Sequence, residues 1–184
     1  VIAPSGQVFL GSNKDRDLMA FGKSVDNSIE ILSERKDAEL SAIRLNHAGT
    51  TAALVWSESG RSKVSFFDLS SKKETKQLSL PVELVAGISF STNDNSVVFT
   101  GSGSKEPSNI WIYSIRNNQF TKITDSPHPG VNLDNLVAAE RVTFPSFDGL
   151  QLSGWLYKPK NGTAPYPTVI SYHGGPESQS VPNF

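Results

Sequence analysis

The sequence has no cysteine, one methionine and three histidines. Without cysteine, disulfides and thiol chemistry are excluded, while the compartment stays open. Neither His47 nor His128 has a second histidine or a carboxylate at a ligand spacing, so no metal is expected, and no cofactor is called for. Neither sign of charge dominates: 17 basic residues face 18 acidic ones, with no basic block or stripe. That argues against nucleic acid as a partner. No apolar run approaches the ~20 residues of a membrane span, so no membrane partner is expected. The sequence opens on Val1 with no methionine and no charged leader. Any signal peptide is therefore expected to have been removed or never included. Cytoplasmic, periplasmic and secreted locations all stay open. Helical periodicity is missing too.

What the chain does have is a succession of short apolar-rich runs separated by Gly, Ser, Asn and Asp. Over residues 1–131 they fall at 8–10, 18–21, 28–32, 42–45, 52–56, 64–69, 87–90, 96–100, 109–115 and 120–123. Several alternate as half-buried strands do. Apolar residues make up 37% of the 184 positions, enough for a core and for one domain or parts of two.

These runs repeat. Ile43-Arg44-Leu45-Asn46 matches Ile88-Ser89-Phe90-Ser91, 45 positions later, and 49–54 matches 94–99 at the same shift. Val64-Ser65-Phe66-Phe67 matches Ile110-Trp111-Ile112-Tyr113 at a shift of 46, so one residue has been inserted. Each unit reads as three strands joined by polar turns, then a weaker outer strand. A period of about 40–50 residues with four strands is the signature of a β-propeller blade. A sandwich would give similar strands without the repeat. Residues 1–36 read as most of an earlier blade, giving two to three in all. Closed propellers have roughly 4–8 blades, so earlier blades are expected upstream of Val1.

Asp125-Ser126-Pro127-His128-Pro129-Gly130 ends the last blade. Residues 132–140 read as a linker with a short helical turn capped by Asn132 or Asp134. From residue 141 the texture changes. Asp148-Gly149 lies between two apolar-rich segments, a hairpin signal in which both turn positions favour positive φ. Thr168-Val169-Ile170-Ser171, bounded by Pro167, reads as a buried third strand. It stops at His173-Gly174-Gly175-Pro176-Glu177, where the backbone must turn sharply and open its N–H groups. A strand ending in His-Gly-Gly is how α/β-hydrolases build half of an oxyanion hole. The expected architecture is mainly β: a partial β-propeller over 1–131, a linker over 132–140, and the first strands of an α/β-hydrolase domain over 141–184.

On these residues the chain resembles the prolyl oligopeptidase family of serine peptidases, especially its acylaminoacyl-peptidase and dipeptidyl-aminopeptidase-like branch. The resemblance is sharpest at Phe144-Pro145-Ser146-Phe147-Asp148-Gly149-Leu150, at Leu156-Tyr157-Lys158-Pro159 and at His173-Gly174-Gly175-Pro176-Glu177. It implies an N-terminal propeller, a C-terminal hydrolase domain, a triad in the order Ser, Asp, His, and short peptides as substrate. Gly174 and Gly175 would then supply the first oxyanion donor through backbone N–H. His173 sits where other branches carry a tyrosine that donates to the oxyanion; here it would shape the turn, with Pro176. No Gly-x-Ser-x-Gly elbow occurs, and Gly101-Ser102-Gly103-Ser104 reads as a blade loop. None of the triad is expected in this chain, which is expected to be inactive alone and to pack against the rest of its protein or a second copy.

Other residues read more plainly. His47 and His128 fit solvated turn and linker positions, and Trp56, Trp111 and Trp155 fit core. Glu58 and Glu106 occupy blade loops, where the family's amine-recognising acids often sit, although solvated loop acids are commoner. Lys72-Lys73-Glu74 is a hairpin tip. Asn161-Gly162-Thr163 is a glycosylation sequon that matters only in a secreted protein. Two other functions stay open: a His-Gly-Gly-type esterase or lipase, and a non-catalytic propeller interaction module.

Overall fold

The structure, a computed structural model, describes residues 1–175 and 178–184; Pro176, assigned a site-shaping role from sequence, lies outside them. Thirteen strands form four antiparallel sheets. The first has three strands, β1 (Phe9–Ser12), β2 (Ala20–Val25) and β3 (Ser28–Ser33). The second is β4 (Ala38–Leu45), β5 (Thr51–Glu58), β6 (Arg61–Asp68) and β7 (Lys73–Leu78) in sequential order. The third repeats that order with β8 (Leu84–Phe90), β9 (Ser96–Gly103), β10 (Glu106–Ser114) and β11 (Gln119–Lys122). A hairpin of β12 (Glu140–Pro145) and β13 (Gln151–Leu156) follows. The chain is thus mainly β, with meander sheets stacked as successive propeller blades; among the described residues they do not close into a ring.

The middle sheet shows why the pattern yields a stack. Successive side chains of a strand point to opposite faces. On β5, Ala52, Leu54 and Trp56 join a core with Phe9 and Phe21 of the first sheet. Ala53 and Val55 point the other way, into a core with Ile88, Phe90, Val97, Phe99 and Tyr113 of the third. Phe67 and Phe66 divide between the two cores in the same way. Both faces of β5 are buried, which is why residues 52–56 read as an unbroken apolar run. Aromatic rings carry both junctions. Phe21 meets Phe67 edge-on at 5.2 Å, and Phe66 lies 6.0 Å from Phe90 and 6.1 Å from Tyr113.

The inserted residue has a physical form. Arg61 pairs with Glu58 and Lys63 with Trp56, whereas in the next sheet Glu106 pairs with Gly103 and Asn109 with Gly101. The extra residue is a β-bulge at Pro107-Ser108, a position where proline costs no ladder bond.

Four expectations change. The charged tip expected over Lys72-Lys73-Glu74 is shorter, because Lys73 and Glu74 already belong to β7, the expected outer strand. The helical turn shrinks to a 3-10 turn, Leu133–Asn135, whose Asp134 N–H donates to the Asn132 side chain. The β12–β13 hairpin forms, but its connection is the five residues 146–150 rather than a two-residue turn. The Gly149 N–H donates to the Ser146 carbonyl, and of the Asp148-Gly149 pair only Gly149 has positive φ, +86°. The run at 168–171 is no strand: Val169 is 94% exposed and Ile170 71%. β-Branched residues favour a strand only where a neighbour completes the ladder, and none of the thirteen strands pairs with this run.

Candidate functional site

Two features lie where the sheets hand over to the C-terminal segment: the glycine turn anticipated from sequence, and a polar cluster that was not.

Gly175 has φ +147°, a conformation essentially reserved for glycine. At Gly174 the space a Cβ would fill holds no atom of the described residues within 4 Å. The His173 Nδ1 lies 3.0 Å from the Gly174 carbonyl and donates to it in the tautomer that protonates Nδ1. His173 therefore closes on its own turn. The turn is solvent-exposed, so an acceptor reaching the Gly174 N–H meets no steric barrier from the described residues.

The polar cluster is built at the end of the sheets where β5 turns into β6 through Ser59-Gly60. The Arg61 guanidinium donates to Glu83 Oε1 at 2.8 Å and to the Ala139 carbonyl at 3.3 Å. Glu83 Oε2 accepts from the Ser104 amide and hydroxyl, both at 2.7 Å. Ser104 Oγ in turn accepts from the Ala139 N–H at 3.1 Å, tying the linker to the β9–β10 turn. Arg61 also stacks over Trp155 of β13, 4.9 Å from its ring centroid. Trp155 Nε1 donates to the Ser180 carbonyl at 2.9 Å. Burial pushes the Glu83 carboxyl up, but donation from Ser104 and the Arg61 charge outweigh it, and the net pKa falls below 4.5. Tyr157 moves the other way: burial, then the Glu83 charge, raise it above 10.0.

The remaining sequence candidates are structural. Glu58 lies 3.9 Å from Lys63, while Glu106 accepts from Asn109 at 3.1 Å and Lys122 at 3.3 Å, so both acids are paired. His47 meets the Asp94 carboxylate at 3.0 Å, a contact invisible at a sequence separation of 47. His128 is not simply solvated: its ring lies 4.8 Å from that of Phe184. Trp56 is core, as expected, whereas Trp155 is half-buried at the polar cluster. Among the described residues no cluster of His, Cys, Asp or Glu could hold a metal ion.

Comparison with solved structures places this geometry. Puromycin hydrolase complexed with PGG matches 98% of this chain with a TM-score of 0.76 at 16% identity, over 29% of its own length. A puromycin-hydrolyzing peptidase of Mycobacterium tuberculosis matches 89% with a TM-score of 0.71 at 15% identity, over 26% of its length. Prolyl oligopeptidase B of Galerina marginata, bound to a 25mer macrocyclization substrate, matches 82% with a TM-score of 0.67 at 16% identity, over 22% of its length. The likeness is one of fold. The structural neighbours are members of the prolyl oligopeptidase family, and the sheets of this chain match their propeller architecture. The chain spans less than a third of the length of these structures. No protein-family model matches the sequence, and no curated protein does.

Proposed function

We propose that this chain is a segment of a serine peptidase that hydrolyses short peptides by acyl transfer. Residues 1–131 are its partial propeller, 132–140 the linker and 141–184 the start of the catalytic domain. The observation that carries the reading is a sequence of architectures: stacked propeller sheets run through a short linker into a hairpin, then into an exposed His-Gly-Gly turn.

In the reaction, a serine Oγ attacks the scissile carbonyl carbon while a histidine takes the hydroxyl proton. The carbonyl oxygen becomes the oxyanion, stabilised by the N–H of Gly174 or Gly175 and by the N–H following the serine. Collapse expels the amine, which leaves with the proton the histidine returns; water then repeats the cycle on the acyl-enzyme. The serine, the aspartate that orients the histidine, and the histidine itself belong to other parts of the polypeptide, so residues 1–184 alone are inactive. The propeller end facing the linker restricts the substrate to short peptides.

A fluorophosphonate probe tests this. The expected result is labelling of a serine beyond residues 1–184 in the full polypeptide, together with turnover of a peptide amide. Labelling of a serine within 1–184 would overturn the assignment. Turnover of esters but not amides would favour an esterase, and no labelling at all a non-catalytic propeller module.

A further inference from the structure

We propose that Arg61, Trp155 and Ser180 form a joint that seats the His173-Gly174-Gly175 turn against the propeller end, which makes Arg61 and Trp155 positioning residues. The proposal rests on the peptidase reading for its catalytic consequence, though not for the joint itself.

The turn is flanked in sequence by Trp155 and Ser180, and these are bonded to each other across 25 residues by the 2.9 Å contact from indole Nε1 to carbonyl. The chain between them leaves from and returns to one point. That point is fixed to the propeller from three sides. Gly60, at φ +80°, passes so close that a Cβ there would lie 3.2 Å from both the Ser180 carbonyl oxygen and Trp155 Cζ2. The Arg61 guanidinium stacks on the Trp155 ring and is anchored to Glu83 and the Ala139 carbonyl. Ser57 Oγ donates to Gln179 Oε1 at 3.4 Å, and Pro182 is fully buried.

The Gly174 end contrasts with this. Among the described residues nothing lies within 4 Å of where a Cβ on Gly174 would sit. A backbone donor stabilises an oxyanion only where it is held in place before reaction, and misplacement of about 1 Å costs on the order of 10²-fold in rate. The His173 contact to the Gly174 carbonyl lies within the turn and does not tie it to the propeller, so the turn's placement against the propeller is inherited from its base. Arg61 Nε is buried with no partner among the described residues, a cost tolerated by a guanidinium whose terminal nitrogen and flat face are already committed to Glu83, Ala139 and Trp155.

The absence of cysteine supplies a clean test. In the full polypeptide, Ser57→Cys with Gln179→Cys is oxidised with copper–phenanthroline, and disulfide formation is timed. A joint as described gives a crosslink at least tenfold faster than the control pair Ser57→Cys with Ser171→Cys. Trp155→Ala or Arg61→Ala slows it about tenfold. Trp155→Phe, which keeps the ring under Arg61 but loses the donor to Ser180, gives an intermediate rate and guards against an alanine variant that misfolds. In parallel, Trp155→Phe and Arg61→Lys are expected to lower kcat about tenfold with KM within twofold of the parent.

A crosslink no faster than the control, or unaffected by Trp155 and Arg61, overturns the joint. A crosslink that slows while kcat holds overturns the positioning role. A parent polypeptide that cleaves neither amide nor ester removes the peptidase reading instead, and the crosslink then judges the joint by itself.

Discussion

Asp94, in the β8–β9 turn, accepts hydrogen bonds from the backbone of His47 in the β4–β5 turn of the preceding sheet. Its Oδ1 takes the His47 N–H at 2.8 Å and lies 3.0 Å from the ring Nδ1, while Oδ2 takes the Ala48 N–H at 3.0 Å. Asp94 is the repeat counterpart of Gly49, and both have positive φ, +56° and +67°. One blade's turn thus plugs a carboxylate into the open amides of the blade before it, at the end of the stack opposite the β5–β6 turn.

Removing that carboxylate is expected to loosen the junction. Asp94→Ala should cost about 1.5–3 kcal/mol, the range for hydrogen bonds to a charged group. The effect depends on pH with a definite sign. Burial raises the Asp94 pKa, but the two amide donors and His47 outweigh it and hold the value below 3.8. A group whose folded pKa is depressed contributes its stability in full above the unfolded value and loses it as pH falls through the folded one. The gap in urea midpoint between parent and Asp94→Ala should therefore narrow as pH falls below 3.8. A gap that widens in acid would refute the assignment.

Gly101 on β9 is required by its neighbours rather than by its backbone. A Cβ there would lie 2.8 Å from Trp111 Cδ1 and 2.9 Å from Val82 Cγ2. Gly101→Ala is expected to cost about 1–3 kcal/mol, as overpacking does. Gly154→Ala on β13, where a Cβ meets nothing within 4 Å, should stay within roughly 0.5 kcal/mol. Thermal melts of the two variants side by side give the comparison; equal shifts would mean that Trp111 does not lie flat against Gly101.

A third prediction concerns a polar pair inside the first core. Trp56 Nε1 donates to Ser65 Oγ at 3.1 Å, and both residues are fully buried. Ser65→Ala leaves the indole N–H without an acceptor and should cost about 1–3 kcal/mol. Trp56→Phe with Ser65→Ala removes both partners, so its cost should fall short of the summed single losses. A double-mutant cycle with additive effects would show that the bond contributes nothing.

The repeat was legible because the inner strands of each blade carry buried apolar residues at corresponding positions, continuous on β5 and alternating on β9, and burial at corresponding positions leaves an imprint 45 positions apart. Even the inserted residue was visible, and the bulge at Pro107-Ser108 is what it looks like in three dimensions. β7 left no such imprint. It is an outer strand whose pattern from Lys73 to Leu78 is exposed until its last residue, so it has no apolar face to read. At 168–171 the difficulty was the reverse. Thr168, Val169 and Ile170 carry strand propensity, but propensity does not supply the neighbouring strand that a ladder needs. The glycine turn was readable because Gly175 takes a conformation that other residues avoid. The joint beneath it was not: Arg61 reaches Glu83 across 22 residues and Ala139 across 78. No local pattern records such contacts, although Arg61 does break the repeat by standing where its counterpart is Glu106.

The last prediction separates the donor at Gly174 from the mere smallness of the residue. Gly174→Pro deletes the N–H and, under the proposed mechanism, should lower kcat by about 10²–10³, the usual loss of one oxyanion donor. Substrate binding in the ground state does not use the developing charge, so KM should change little. Gly174→Ala keeps the N–H and points its methyl into open space, so the fold should melt within a degree or two of the parent. Its kcat should fall far less than that of the proline variant. Proline also restricts the residue before it, so His173→Ala is the third arm: it removes the 3.0 Å contact to the Gly174 carbonyl and leaves the donor in place. If Gly174→Ala is as damaging as Gly174→Pro, the position serves shape rather than donation. If His173→Ala alone matches the proline variant, the turn's conformation, and not the Gly174 N–H, limits the rate.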